Sequence, residues 1–267
     1  MDQQESVGIG RLVWMGAAAG LMGGFFGVGG GIILVPLLVW AGFERHRAHA
    51  TSLASFIVIA TAGAISYGVA GDIDLRVGLA VGLGGVIGSI LGASVMHHLS
   101  SRTLGIAFAV VMLVAGVRLI FGGAPIPGAT DFGSTEQFVI GLGIGLVSGL
   151  FAGLIGIGGG AVIVPATVLL LGLDQHVAQG TSLTAIVLTA IAGSVVNLRN
   201  RRVHIPDSLM LGAGGVAGTL VGTRLALGLE GRTLSVAFGF LVLFVAIRSL
   251  YRIVRPRAAQ ETSVTSD

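Results

Sequence analysis

The sequence predicts an all-α polytopic membrane protein of two tandem, inverted repeats, each a Gly/Pro-broken hairpin followed by three transmembrane helices. Three observations carry this. The chain is 54% hydrophobic and only 10% charged, against roughly 25% charged residues in ordinary soluble domains. Its halves repeat: residues 20–36, GLMGGFFGVGGGIILVP, return as residues 149–165, GLFAGLIGIGGGAVIVP, at an offset of 149 − 20 = 129. Each copy sets three successive glycines and then a proline inside apolar sequence. Glycine costs about 1 kcal/mol and proline about 3 kcal/mol in a helix interior, so each copy breaks a helix. In lipid, irregular backbone must be buried in protein or line a wet cavity. Paired breaks at matching places in two halves point to a transporter's binding site.

The first apolar run, residues 12–43, spans 32 residues. As one helix it would measure roughly 48 Å, too long for a bilayer core of about 30 Å. The glycines at 27–31 therefore mark a break, giving a hairpin or two half-helices. After the charged loop ERHRAH at 44–49, spans are predicted at about 50–70, 77–97 and 104–121. Residues 123–136 form a Pro/Gly/Ser/Thr linker. This divides the chain into a first transmembrane repeat (1–122), an extracytoplasmic linker (123–136), a second repeat (137–257) and a disordered cytoplasmic tail (258–267). In the second repeat a broken run at 137–173 precedes spans at about 181–198, 206–227 and 233–250. Past Pro165 the offset becomes 130, pairing Thr51 with Thr181, Gly63 with Gly193 and Arg118 with Arg248. Gly16, Gly20 and Gly24 match Gly145, Gly149 and Gly153, and Gly84, Gly88 and Gly92 match Gly214, Gly218 and Gly222. Small residues at this spacing read as close helix packing in lipid.

The net charge of +3 rests on arginine alone, since the chain has no lysine. Arg11, Arg45, Arg47, Arg102, Arg199, Arg201, Arg202, Arg252, Arg255 and Arg257 fall on one predicted side, against Arg76, Arg224 and Arg232 on the other. The positive-inside rule then places both termini in the cytoplasm. Counting each broken run as a single crossing gives parallel repeats instead and puts one arginine loop outside. The N-terminal stretch lacks a basic region before its apolar run, so no cleaved signal peptide is expected. Without cysteine there is no disulfide, thiolate nucleophile or Cys-ligated metal site.

Successive glycine N–H groups form an anion-binding nest, and a half-helix starting near Pro36 or Pro165 would aim its positive end at the same place. The candidate substrate-binding set is therefore Gly27, Gly29, Gly30, Gly31 and Pro36 with Gly156, Gly158, Gly159, Gly160 and Pro165, joined by Thr51, Ser52, Gln179, Thr181 and Ser182. His49 and Asn197 are candidates for coupling or gating. The plainer reading makes the glycines a packing device and the hydroxyls helix caps. Residues 156–161, GIGGGA, fit a dinucleotide fingerprint, but membrane spans flank them where a soluble βαβ unit is needed. All twelve acidic residues lie in loops, at span ends or in tails, so the carboxylate relay of many proton-coupled pumps is missing. A lysine-free chain has no Walker lysine. No enzyme activity, cofactor, metal or nucleic-acid partner is expected; the partners are a small anion and the lipid bilayer. The coupling ion, H⁺ or Na⁺, and the oligomeric state stay open.

The twin segments G-x-x-x-G-x-x-G-[IV]-G-G-G-x-x-x-V-P, each followed by Thr-Ser-Leu about 15 residues on, resemble the sulfite exporter TauE/SafE family of membrane transporters (also called TSUP). The resemblance runs over residues 8–255. It implies a bacterial or archaeal inner-membrane permease for small sulfur-containing anions such as sulfite or organosulfonates, usually proposed as an exporter. With the residues, it gives a transporter working by alternating access at the twin breaks. An anion channel or facilitator, or a membrane subunit of a larger complex, are the other classes these residues allow.

Overall fold

The computed structural model describes residues 8–95, 101–122, 133–155 and 159–254. Gly156 and Gly158, residues 123–132 of the linker and the 258–267 tail lie outside the described residues. Ten helices and no strand are present among those described. They are α1 (Ile9–Phe26), α2 (Gly31–Trp40), α3 (Arg45–Ala70), α4 (Leu75–Val95), α5 (Ser101–Phe121), α6 (Ser134–Ile155), α7 (Gly160–Leu171), α8 (Gln175–Arg199), α9 (Ile205–Leu227) and α10 (Gly231–Val254). Seven of them are long and apolar enough to cross a membrane. The protein is a multi-pass membrane protein, and each repeat contributes five helices in the same order.

Each broken run is a hairpin of unequal arms. Left-handed Gly27 (φ 69°) stops α1, and Gly29 and Gly30 (φ 73° and 79°) complete the reversal, a conformation open to glycine at little cost. The chain then doubles back: a Cβ at Gly23 would lie 2.8 Å from the Gly30 nitrogen. Leu34 and Leu38 of α2 join Leu12, Met15 and Ala19 of α1 in one buried cluster. At the open end the Arg11 guanidinium lies 5.1 Å from the Trp40 ring centroid, so α2 finishes where α1 began. In the second repeat Ile163 and Leu171 of α7 cluster with Ile144 of α6.

The prolines sit deeper in their helices than the sequence predicts. The short arms begin at Gly31 and Gly160, so Pro36 and Pro165 stand in the second turn of α2 and α7, not in the first. In the first repeat Gly27, Gly29 and Gly30 finish the reversal before the proline is reached. Proline then only removes one N–H from a helix already under way.

The glycine stripes pack the first helix of each repeat against the fourth helix of the other. A Cβ at Gly16 or Gly20 would run into the carbonyl oxygen of Leu211 or Gly215, and one at Gly214 or Gly218 into that of Val13 or Ala17. α1 and α9 thus run parallel at backbone contact. α4 and α6 do the same, with Gly84 and Gly88 against Leu142 and Leu146 and with Gly145 and Gly149 against Val81 and Gly85. The equivalent helices α3 and α8 lie side by side and antiparallel, Leu53 packing on Gly193 and Leu183 on Gly63. α5 and α10 are also antiparallel, pairing Gly116 with Leu243 and Ile120 with Gly239.

The two ends of the bundle differ in charge. At one, Thr51 Oγ1 accepts the His204 N–H at 3.5 Å, bringing the Arg45/Arg47 start of α3 beside the arginine-bearing turn at 199–202. At the other, Thr181 Oγ1 accepts the Asp74 N–H at 2.9 Å, and His176 bonds both Asp174 Oδ1 (3.2 Å) and the Ala226 carbonyl (3.1 Å). Both arginine loops therefore share one end of the bundle.

Candidate functional site

A cavity of about 170 Å³ sits where the two breaks meet. Gly160 presses on the first break, its missing Cβ falling 2.6 Å from Val28 Cα. From Val28 and Gly159 the cavity runs toward the arginine-bearing end, between the start of α3 (His49, Leu53, Phe56), the middle of α4 (Gly85, Ser89), the end of α6 (Ser148, Gly149, Ala152) and the second half of α8 (Ile186, Thr189, Gly193, Asn197). Its lining mixes apolar side chains (Val28, Leu53, Phe56, Ile163, Ile186) with the hydrogen-bonding groups of Ser89, Ser148, Thr189 and Asn197. No carboxylate lines it among the described residues.

The polar groups reach this lining through helix register. Ser148 Oγ donates to Gly145 O at 2.9 Å, Ser89 Oγ to Val86 O at 2.8 Å, and Thr189 Oγ1 to Ile186 O at 3.1 Å. Asn197 Nδ2 donates to Gly193 O at 2.9 Å. Each group is thus satisfied within its own helix. A hydroxyl proton rotates to a better acceptor, and the second amide proton of Asn197 remains for another bond. Gly159 caps α7, and the first N–H groups of a helix lack intrahelical acceptors. The positive end of α7 therefore opens on the cavity. The arrangement can replace the hydration shell of a small anion without a buried cation.

The predicted residues separate into three groups. His49, Asn197 and Gly159 line the cavity. Gly27, Gly29, Gly30, Gly31 and Gly160 are backbone that shapes the breaks, with Gly27 packed on Gln179 and Gly29 on Ile186. Thr51, Ser52, Thr181, Ser182, Pro36 and Pro165 do not line it. The two threonines clasp the loops of the opposite repeat, Ser52 Oγ donates to His49 O at 3.3 Å, and Ser182 Oγ is buried. Pro36 is exposed on α2 and Pro165 buried in α7. Gln179 bonds Tyr67 away from the cavity. Sequence reasoning missed Ser89, Ser148 and Thr189. For Ser89 and Ser148 the one signal is a hydroxyl beside a glycine stripe, which marks a helix contact equally well, and Thr189 carries none.

The family model for sulfite exporter TauE/SafE matches residues 2–130 and again residues 137–266. A Bacillus subtilis protein named "Probable membrane transporter protein YunE" is 26% identical over 263 residues, covering 90% of this chain and 96% of its own. A "Probable membrane transporter protein" of Xylella fastidiosa strain Temecula1 is 30% identical over 252 residues, covering 92% and 94%. No solved structure matches the chain.

Proposed function

The chain belongs to the sulfite exporter TauE/SafE family of membrane transporters, and from that premise we propose that it exports small sulfur-containing anions, sulfite or organosulfonates, by alternating access at the twin breaks. The observation that carries this is the cavity at their junction, lined by neutral donors and the positive end of α7 and free of lining carboxylates among the described residues. An anion there gains hydrogen bonds and a favourable dipole, worth roughly 0.3–2 kcal/mol for the helix end alone. Leu53, Phe56 and Ile163 in the lining suit the carbon chain of a sulfonate.

The repeats are inverted in the membrane, with the arginine-bearing end cytoplasmic; the antiparallel pairing of α3 with α8 and of α5 with α10 supports this. The cavity then faces the cytoplasm beneath Arg47, Arg199, Arg201 and Arg202, which draw anions inward by long-range attraction. An inside-negative potential drives each charge outward by about 2.3 kcal/mol per 100 mV, so export needs no carboxylate relay.

The test is sulfite and sulfonate efflux from proteoliposomes under an imposed potential, native chain against Gly159→Leu. Gly159 has right-handed backbone (φ −70°), and its Cβ would meet nothing closer than 3.5 Å, so leucine fills the cavity without straining the break. Flux falling at least tenfold, with the protein still monodisperse, supports the site. Native-chain failure to move any sulfur oxyanion overturns the substrate assignment.

A further inference from the structure

The open cavity has a closed twin on the other side of the breaks. The 130-residue offset pairs His49 with Gln179 (179 − 49 = 130) and Asn197 with Tyr67 (197 − 67 = 130). His49 and Asn197 line the cavity, and Asn197 turns its amide back on its own helix. Tyr67 and Gln179 are fully buried, and the Tyr67 hydroxyl lies 2.6 Å from Gln179 Oε1 and 3.0 Å from the Gly24 carbonyl oxygen. That contact joins α3, α8 and the end of α1 directly behind the first break, where Gly27 packs on Gln179. At the same end Thr219 Oγ1, the counterpart of cavity-lining Ser89, donates to Gly20 O at 3.1 Å. Its neighbour Leu183 fills the notch at Gly63, as Leu53 meets Gly193 at the open end.

We propose that Tyr67–Gln179 is the closed gate of the pathway and His49–Asn197 the same gate standing open, the two exchanging states as α3 and α8 rock against each other. The inference rests on the transporter reading. Equivalent positions on two antiparallel helices lie on opposite sides of their crossing, so a rotation that parts one pair brings the other together. The closed pair is not fully satisfied. Gln179 Nε2 is buried with no partner among the described residues, and an unpaired buried donor costs free energy that opening to water returns. The unlike chemistry of the pairs, phenol on amide against imidazole and amide, sets which end rests closed.

The chain has no cysteine, so a single Ile186→Cys on the cavity wall reports access. Proteoliposomes of one orientation are labelled with a membrane-impermeant maleimide from either side. In the otherwise native chain the Asn197 end labels at least tenfold faster than the Tyr67 end. Tyr67→Phe keeps the ring and removes the hydroxyl; labelling from the Tyr67 end rises about five- to tenfold, the effect of one buried hydrogen bond. The paired change His49→Gln with Asn197→Tyr copies the closed gate onto the open end and slows labelling there about tenfold, a gain of closure that general destabilisation does not produce. Equal labelling from both ends in the native chain, or unchanged rates in both variants, overturns the gate. Labelling needs no substrate. Rates that shift as described while no sulfur oxyanion moves would uphold the gate and overturn the substrate reading.

Discussion

Arg201 holds the left-handed conformation (φ 54°) that Gly71, its counterpart 130 residues earlier, holds at φ 85°. Both close a helix with the same bond, Asp72 N–H to the Tyr67 carbonyl at 2.9 Å and Arg202 N–H to the Asn197 carbonyl at 3.0 Å. A side chain in this region costs roughly 1–2 kcal/mol, and Arg201 bears that cost in the turn that follows cavity-lining Asn197. Arg201→Gly is expected to raise the Tm, by about 1 kcal/mol of stability, while slowing anion capture at low ionic strength; a scanning calorimetry and flux pair measures both. Asp72, outside the spans, has a carboxyl shifted by its surroundings. Burial pushes its carboxyl above the usual carboxylate range, His176 opposes that and Asp174 adds to it. A carboxyl raised in the folded state favours folding when protonated, so its contribution is present at low pH and lost as pH rises through the raised value. Asp72→Asn should therefore raise the Tm at neutral pH, with the gain shrinking as pH falls into the carboxylate range.

At the scale of elements, the parallel pairs α1/α9 and α4/α6 are held by glycine at backbone contact, a packing that substitutes for the hydrophobic effect absent in lipid. Gly20→Ala drives a methyl into the Gly215 carbonyl and should destabilise by roughly 1–3 kcal/mol. Gly143→Ala, where nothing lies within 4 Å, should leave stability unchanged or raise it. Thermal unfolding in detergent separates the two. The clasps between repeats make a different prediction. Thr181→Val leaves the Asp74 N–H without its acceptor and should cost about 1 kcal/mol with the substrate KM unchanged, because Thr181 does not line the cavity. A raised KM at full stability would return Thr181 to the substrate.

Over the whole molecule, the periodicity of the chain and the position of its breaks are legible in the residues alone. A repeat of 129 to 130 residues, apolar runs of span length and triple glycines followed by proline describe one unit used twice, and two equivalent sets of five helices among the described residues follow from it. The glycine stripes are readable as packing because only small residues let backbones touch. Partnership is not readable. Nothing local to Gly20 says that it meets Gly215 in the other repeat, since any glycine stripe fits any other of the same spacing. Nor does Thr51, beside His49 in sequence, betray that its hydroxyl holds the backbone of residue 204 while His49 faces the cavity. Two residues apart on a helix are about 200° apart around its axis, so sequence proximity assigned both to one site and the fold divided them.

Composition, repeat and broken hairpins were thus determined by the sequence itself, because lipid demands apolar length and internally bonded backbone, and the first hairpin reverses on left-handed glycines. What only the tertiary structure decided is which copies of the repeated residues face the cavity and which are locked away. His49 and Gln179 hold equivalent positions, as do Asn197 and Tyr67, yet one pair borders open space and the other is sealed behind the first break. A duplicated sequence specifies both ends by nearly the same residues. What differs is the packing around α3 and α8 at each end, which involves contacts between the repeats and is not a property of either repeat alone.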